Sequence, residues 1–105
     1  MKRTVRVVKE FEYNIELDDS ILTQEFVNDF ERGFWELEAD SLEGKLEKLF
    51  EVAAYQIANG EENFVEGLGY CTSKGMSSYY KETYPEKKFS VVYDENYSET
   101  ETEML

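Results

Sequence analysis

The sequence contains no histidine, so it lacks the residue that most often acts as a general base or as a neutral metal ligand. It has a single cysteine, Cys71, which excludes a disulfide within the chain and fits a reducing compartment. Because no histidine is available to activate its thiol, we interpret Cys71 as a small core residue. These absences predict a protein that is not an enzyme.

Motifs for cofactors and metals are also missing. The short GLG segment at residues 67–69 lacks the third glycine and the ribose-binding acid of a dinucleotide fingerprint, and no lysine follows a glycine-rich turn. Glu36, Glu38 and Asp40 alternate as at the start of an EF-hand loop, but Ser41 stands where that loop needs glycine. We therefore expect no cofactor and no metal site.

Long hydrophobic runs are absent as well. The longest apolar run within a predicted helix, VAAY at residues 52–55, is far shorter than the about 20 residues that cross a bilayer. The basic start at residues 1–9 is not followed by the apolar segment of a secretory signal. We expect a cytoplasmic location, in the host cytoplasm if the chain is encoded by a phage.

Basic residues are few: 11 lysines and arginines stand against 24 acidic residues, which gives a net charge of -13. This balance argues against direct binding to nucleic acid or to an anionic membrane, because both need a basic footprint. It permits the opposite relation, in which the chain binds a basic surface that normally holds nucleic acid.

What the sequence does contain begins with strict alternation over residues 4–17. Successive side chains of a strand point to opposite faces, so this pattern predicts a long strand with one apolar and one polar face. The odd positions are mainly apolar and are expected to lie on a core. The even positions include Glu10, Glu12 and Glu16 and are expected to face water.

Two segments with helical spacing follow. Apolar residues recur every three to four positions over residues 20–37 and again over 41–58, which predicts two helices. Asp40 and Glu43 resemble a capping box at the start of the second helix. Asn59 and Gly60 predict its end, because glycine adopts the left-handed conformation without penalty.

The C-terminal half is predicted to supply the remaining strands. We expect strands at residues 64–72, 79–84 and 88–94, the middle one in preference to a short helix. Residues 98–105 are acidic, have little to bury and are predicted to be disordered. The resulting expectation is one α+β domain over residues 1–97: an antiparallel sheet of about four strands in the order β-α-α-β-β-β, with two helices packed on one face.

The negative charge is concentrated rather than dispersed. Residues 10–43 hold twelve acidic residues and one basic residue, Arg32. Like charges on one helix face or strand face cost stability, and mixed signs would confer solubility at less repulsion. We therefore predict a partner-binding surface formed by acidic side chains of this segment: Glu10, Glu12, Glu16, Asp29, Glu31, Glu36 and Glu38.

Aromatic residues supply the other candidates for partner binding. If Phe34 points inward on the predicted helix, Trp35 is displaced from it by about 100° and is expected to be partly exposed beside the acidic surface. Tyr79 and Tyr80 belong to a tyrosine-rich C-terminal half, and tyrosine is common in binding hot spots. These residues support an alternative hypothesis, a protein–protein adaptor or an oligomeric structural domain such as a homodimer.

Small, acidic, single-domain chains of this kind resemble the anti-restriction and anti-CRISPR inhibitors of phages and plasmids, several of which are DNA mimics. The resemblance is one of size and charge, and no motif carries a functional residue over from it. It implies a non-enzymatic inhibitor or modulator of a basic nucleic-acid-binding protein. A small enzyme or metal-binding protein is the least favoured of the three hypotheses.

Overall fold

A computed structural model of the chain, which describes residues 1–60, 63–86 and 88–105, confirms the α+β class. Four strands form one sheet in the order β1-β4-β3-β2. The described residues contain three α-helices rather than the two expected, and two single-turn 3-10 helices at Asp19–Ile21 and Lys74–Met76. In chain order the elements are β1 (Val5–Leu17), α1 (Gln24–Gly33), α2 (Leu42–Ala58), β2 (Phe64–Val65), β3 (Gly69–Ser73), α3 (Ser77–Thr83) and β4 (Phe89–Met104).

Strand β1 pairs antiparallel with β4 along the whole length of β1, from Val5 opposite Met104 to Leu17 opposite Val91. The register shifts at one point, where Glu12 faces Tyr97 and Tyr13 faces Glu95, so that Asn96 is an extra residue in β4. Such a β-bulge changes which residues of β4 share a face with the odd residues of β1. Those residues are odd-numbered before the bulge and even-numbered after it.

The sheet is mixed, which corrects the expectation of an antiparallel one. Strand β3 pairs with β4 in parallel, and two parallel strands that are close in sequence need a crossover between them. Helix α3 is that crossover, and it occupies the place where a strand over residues 79–84 was predicted. Tyr80 of α3 packs on Phe89 of β4 with ring centroids 5.5 Å apart. The preference of tyrosine for strands is thus overridden by the tertiary arrangement, in which a crossover must connect β3 to β4.

The predicted strand at residues 64–72 is a hairpin of two short strands, β2 and β3. Its turn contains Gly67, whose φ of +88° lies in the left-handed region. A Cβ atom on Gly67 would also lie only 2.6 Å from Cε2 of the buried Phe30. The chain therefore reverses at a position where both the backbone angle and the packing require glycine.

Both long helices lie close to their predicted positions. Helix α1 is shorter than the predicted residues 20–37, because Thr23 caps its start by accepting a hydrogen bond from the amide of Phe26. Helix α2 begins after Ser41, which accepts a hydrogen bond from the Gly44 amide, so the N-cap is one residue later than the predicted Asp40. Its end at Asn59 and Gly60 is as expected, with φ of +96° at Gly60.

One face of the sheet and the first two helices enclose the core. Helix α2 contacts both outer strands of the sheet, β1 and β2, so it crosses the whole layer, and α1 packs beside it. The core consists of one cluster of buried residues: Leu17, Ile21, Val27, Phe30, Leu37, Leu49, Ala53, Ile57, Val65, Leu68, Cys71 and Val91. Cys71 is thus in the core, as the sequence predicts.

The sheet continues beyond this core as a two-stranded antiparallel ribbon, which we define as residues 5–12 of β1 and 97–104 of β4. Every residue of both segments is exposed, including Val5, Val7 and Phe11. The predicted burial of the odd face of β1 is therefore wrong for this half, because only Tyr13, Ile15 and Leu17 reach the helices. We call the described residues between 13 and 96 the body.

The ribbon also replaces the disordered tail that we expected at residues 98–105. Residues 98–104 are strand, and the backbone pairing continues to a hydrogen bond from the amide of Leu105 to the carbonyl of Thr4, 3.1 Å long. Although the tail buries little, the first half of β1 offers it a row of unpaired backbone groups. The tail is ordered because its backbone groups pair with those of β1, and amino-acid composition does not indicate this pairing.

Candidate functional site: an acidic ribbon and an aromatic groove

The even-numbered face of β1 in the ribbon is joined by acids from the C-terminus. Arg6 faces Glu103, Val8 faces Glu101, Glu10 faces Glu99 and Glu12 faces Tyr97. Facing residues of an antiparallel pair point to the same side of the sheet. Five carboxylates therefore share one surface, which we call the acidic ribbon face: Glu10, Glu12, Glu99, Glu101 and Glu103.

The spacing of these carboxylates follows from strand geometry. Alternate residues on one strand are about 6.8 Å apart, and residues that face each other across the pair have Cβ atoms about 5 Å apart. Glu10 and Glu99 are like charges directly opposite one another, an arrangement that destabilises a strand pair. The one base on this face, Arg6, forms a 3.6 Å ion pair with Glu103 that is exposed on both sides and therefore weak.

Tyr97 reports the clustering of these carboxylates. Its hydroxyl donates a hydrogen bond to Glu99, and this bond raises the pKa of the phenol. Burial and the negative charges of Glu10 and Glu12 raise the same pKa further. The phenol of Tyr97 is thus surrounded by acids from both strands of the ribbon.

The other predicted acids are not all available to a partner. Glu16 lies on the same side of β1 as the acidic ribbon face but within the body, opposite Val92. Asp29 is exposed on α1, where it pairs with Arg32 at 2.9 Å. Its neighbour Glu31 has a structural role, which the sequence does not reveal.

Glu31 joins α1 to the start of α2. It accepts a 2.8 Å hydrogen bond from the amino group of Lys45 and a 3.1 Å bond from the amide of Leu37. Its side chain is only 18% exposed. The Lys45 bond is the main cause, and the Leu37 bond the second, of a Glu31 pKa below its usual value. Glu31 therefore holds the segment that contains Trp35 against α2.

That segment forms one wall of an open groove of about 730 Å³. Trp35, Glu36 and Glu38 line it from one side, and residues of α2 including Glu51 and Tyr55 line it from the other. Trp35 packs edge-on against Phe30, with centroids 5.1 Å apart, and remains 47% exposed. The groove thus combines an anchored, half-exposed indole with carboxylates.

One cation moderates the charge of this groove. Lys48 lies 2.9 Å from Glu51, and the hydrogen bond between them is the main cause of a raised pKa at Lys48. Glu66, from the turn between β2 and β3, adds another carboxylate at the rim. The groove remains net negative, because four carboxylates of its lining stand against this one lysine: Glu36, Glu38, Glu51 and Glu66.

The acidic ribbon face and the groove lie on opposite sides of the sheet. Tyr13 and Ile15 pack on the helical side, so the alternate residues Glu10, Glu12 and Glu16 of β1 face the other way. The groove is formed by α2 and the segment before it, which belong to the helical side. The seven predicted acids therefore do not form one surface.

The two predicted tyrosines are on α3 rather than on a strand. Tyr79 is exposed, whereas Tyr80 is half-buried against Phe89 and Tyr84. A smaller cavity of about 310 Å³ lies between α3 and the sheet and is partly lined by Cys71. Burial raises the pKa of the Cys71 thiol to about 11, so it is not a thiolate at neutral pH.

Comparison of the chain with protein-family models, with curated proteins and with solved structures found no match. Over the described ranges, no cluster of three or more potential ligand side chains could hold a metal ion. Of the helices in these same parts of the chain, none is both long and apolar enough to cross a membrane.

Proposed function

We propose that this chain is a non-enzymatic binding protein that presents the acidic ribbon face to a basic, nucleic-acid-binding protein and thereby inhibits or modulates it. In this proposal the carboxylates occupy positions that phosphates would occupy in the partner's groove. The partner is a protein, and no direct contact with nucleic acid or membrane is involved. The proposed location is the cytoplasm.

The observation that carries the proposal is the pairing of acids across the ribbon. Glu10 faces Glu99 directly, and Glu12, Glu101 and Glu103 surround them with only Arg6 as a base. Stability within one chain does not favour this arrangement, because opposite charges at facing positions would stabilise the ribbon. A basic partner would compensate for the repulsion.

The charge density of this face supports a mimic of a nucleic-acid strand. Residues 6–12 of β1 span about 20 Å at about 3.4 Å per residue, and five carboxylates lie along this length. That is about one carboxylate per 4 Å, or one net negative charge per about 5 Å when Arg6 is counted. This charge density is somewhat lower than that of a single DNA strand, at one charge per about 3.4 Å, and well below that of the duplex, at one per about 1.7 Å. An inhibitor of the type that phages and plasmids direct against restriction or CRISPR systems would use such a surface.

The proposal is tested with a variant in which Glu99, Glu101 and Glu103 are all changed to Gln. A matched control carries the same change at Glu25, Glu47 and Glu82, which are exposed and lie outside the ribbon. Tagged wild-type protein is expected to capture a nucleic-acid-binding protein from lysate of its source or host cell and to release it when DNA is added. The control should do the same, and the ribbon variant should not.

Two results would contradict the proposal. One is equal capture by the ribbon variant and the control. The other is a captured protein that stays bound at about 0.5 M salt, where screening shortens the Debye length to a few ångströms, and that ignores added DNA.

The groove supports a second candidate function, a protein–protein adaptor. Its supporting observation is Trp35, an aromatic side chain that is anchored on Phe30 yet 47% exposed beside a groove of about 730 Å³. Aromatic anchors of this kind are enriched in binding hot spots. For this function Trp35→Ala should abolish capture, and binding should survive high salt.

A further inference from the structure

The outer edge of β1 is open along the whole ribbon. β1 is the last strand of the sheet, and in the described parts of the chain only β4 pairs with it. Residues 5–12 are all exposed. A long, exposed edge strand presents unpaired backbone groups that readily pair with another strand. Proteins usually protect such edges with proline or with charged side chains. No proline interrupts this edge, and its charges, which include Lys9 on the odd face, are of both signs.

The charges of this edge change sign along the strand. Lys2, Arg3, Arg6 and Lys9 precede Glu10, Glu12 and Glu16, with no acid before residue 10. A strand with this polarity is complementary to itself when two copies run antiparallel. We infer that β1 pairs with β1 of a second copy, so that the two sheets join through this edge into a continuous sheet in a two-fold dimer.

One register satisfies the side chains best. With Val8 facing Val8 at the two-fold axis, Arg6 faces Glu10 of the second copy and Val5 faces Phe11 of the second copy. Each register leaves one valine opposite a charge: Val7 opposite Lys9 in the first, and Val8 opposite Glu10 in a register centred on Lys9. The Lys9 register also pairs Arg6 with Glu12, but it is disfavoured because it places two lysines face to face at the axis. A two-fold axis perpendicular to the sheet keeps every side chain on its own side of the sheet. Facing residues must therefore be both odd-numbered or both even-numbered, as they are in the Val8 register.

The dimer explains the conflict between Glu10 and Glu99. In the Val8 register, Arg6 of the second copy lies beside Glu10 on the side away from Glu99. The positive charge offsets the repulsion across the ribbon, and the acidic faces of the two copies lie on the same side of the joined sheet. The edge of β1 can pair in this way whether or not the acidic ribbon face binds a basic partner, and Arg6 of the second copy then supplies at Glu10 part of the compensation that such a partner would provide.

The test is a charge-reversal cycle measured by sedimentation equilibrium. Arg6→Glu and Glu10→Arg each place like charges at two symmetry-related pairs, so each should raise the dimer dissociation constant by about tenfold or more. The double variant restores opposite charges and should return to within about threefold of wild type. Arg32→Glu, a reversal on the exposed surface of α1, should leave the constant unchanged.

The register is tested by crosslinking with a short bifunctional maleimide. Val8→Cys should give a covalent dimer, because facing Cβ atoms at the axis are about 5 Å apart. Glu12→Cys should not, because the two copies of that residue are eight residues apart along the edge, about 27 Å. Cys71 is 1% exposed and does not compete.

Three results would overturn the inference: a wild-type protein that is monomeric up to about 1 mM, a double variant that is as weak as the single variants, or crosslinking at position 12 in preference to position 8.

Discussion

The two halves of β1 have the same alternating pattern but opposite surroundings. From Tyr13 to Leu17 the odd residues pack against helices, and Leu17 is 5% exposed. From Val5 to Phe11 the odd residues lie in water, and Val7 is 54% exposed. Alternation therefore predicts a strand in both halves, but it does not tell which half has a layer to pack on.

This contrast bears on function, because the half without a core is the half with the acids in facing positions. A body that encloses its apolar residues can tolerate repulsion in an extension that contributes little to the core. The ribbon is held by backbone pairing with a single neighbour, and two-stranded ribbons are only marginally stable alone. We therefore expect changes in the body to alter global stability and changes in the ribbon to alter local order and binding.

The largest expected effect is the difference in stability between two truncations on the odd-numbered face of β1, one in each half of the strand. Leu17→Ala should lower the free energy of unfolding by about 2–5 kcal/mol, because it leaves a cavity in the core. Val7→Ala should change it by no more than about 0.5 kcal/mol. Urea denaturation of both variants measures the difference, and equal losses would show that the two halves are equivalent.

A second variant tests how tightly the body is packed. Gly67→Ala should cost more than about 1 kcal/mol, because φ is +88° and the new Cβ would lie 2.6 Å from a ring atom of Phe30. Gly75→Ala is the matched control, since no atom lies within 4 Å of its Cβ position. If both variants melt at the same temperature, the turn does not pack against Phe30 in the folded protein.

A smaller effect is expected where α1 meets α2. Glu31→Gln should lower the melting temperature at neutral pH, because it removes the partner of Lys45. Asp29→Asn breaks an exposed ion pair and should have almost no effect. The hydrogen bonds from Lys45 and from the Leu37 amide hold the folded-state pKa of Glu31 below that of the unfolded chain, so its contribution is fully present at pH values well above the unfolded-state pKa.

That contribution should disappear as the pH falls through the lowered folded-state pKa. Thermal melts of wild type and Glu31→Gln should therefore differ at pH 7 and converge in acid. A difference that persists or grows in acid would contradict the assigned role of Glu31.

The smallest expected effect comes from replacing an acid of the ribbon by lysine, a change that should stabilise the ribbon and weaken its binding to a basic partner. Glu99→Lys places opposite charges at the Glu10 pair and should stabilise the ribbon by about 0.2–1 kcal/mol. Glu101→Lys faces Val8 and should stabilise it less. Amide exchange at residues 5–12 measures this gain, and the same variants should weaken capture of a basic partner. A ribbon that exchanges faster in Glu99→Lys would refute the predicted repulsion.

The parts of the fold that the sequence predicts are those whose local pattern agrees with their environment. The residues of β1 alternate over its full length, and α2 has both an apolar stripe and an Asn59-Gly60 stop. The hairpin at residues 64–73 looks like one strand in the sequence, because its turn is so short that the apolar residues on both sides of it appear continuous. The turn is possible because Gly67 adopts a left-handed φ. Tyr79 and Tyr80 favour strands locally, and only the parallel pairing of β3 with β4 requires a helix there.

The sequence predicts only the acids that β1 contributes to the candidate site. The acids that β4 contributes were missed, although their segment has an alternating pattern that favours a strand. The segment from Ser98 to Glu103 alternates small hydroxyl residues with glutamates, and threonine is a good strand former. Its composition predicts disorder, whereas its period of two predicts a strand. Composition could not reveal that, within the ranges the structure describes, β4 is the sole strand beside the first half of β1.

The most direct measurement of this account is the set of cross-strand proton contacts in the ribbon by NMR. Alternate facing pairs of an antiparallel ladder bring their Cα atoms to about 4.5 Å, which gives strong contacts between Hα protons. The account predicts such contacts between residues 5–12 and 97–104, in the register where Glu10 faces Glu99. Random-coil shifts over residues 98–105 with no contact to β1 would remove the acidic ribbon face and the proposals that depend on it.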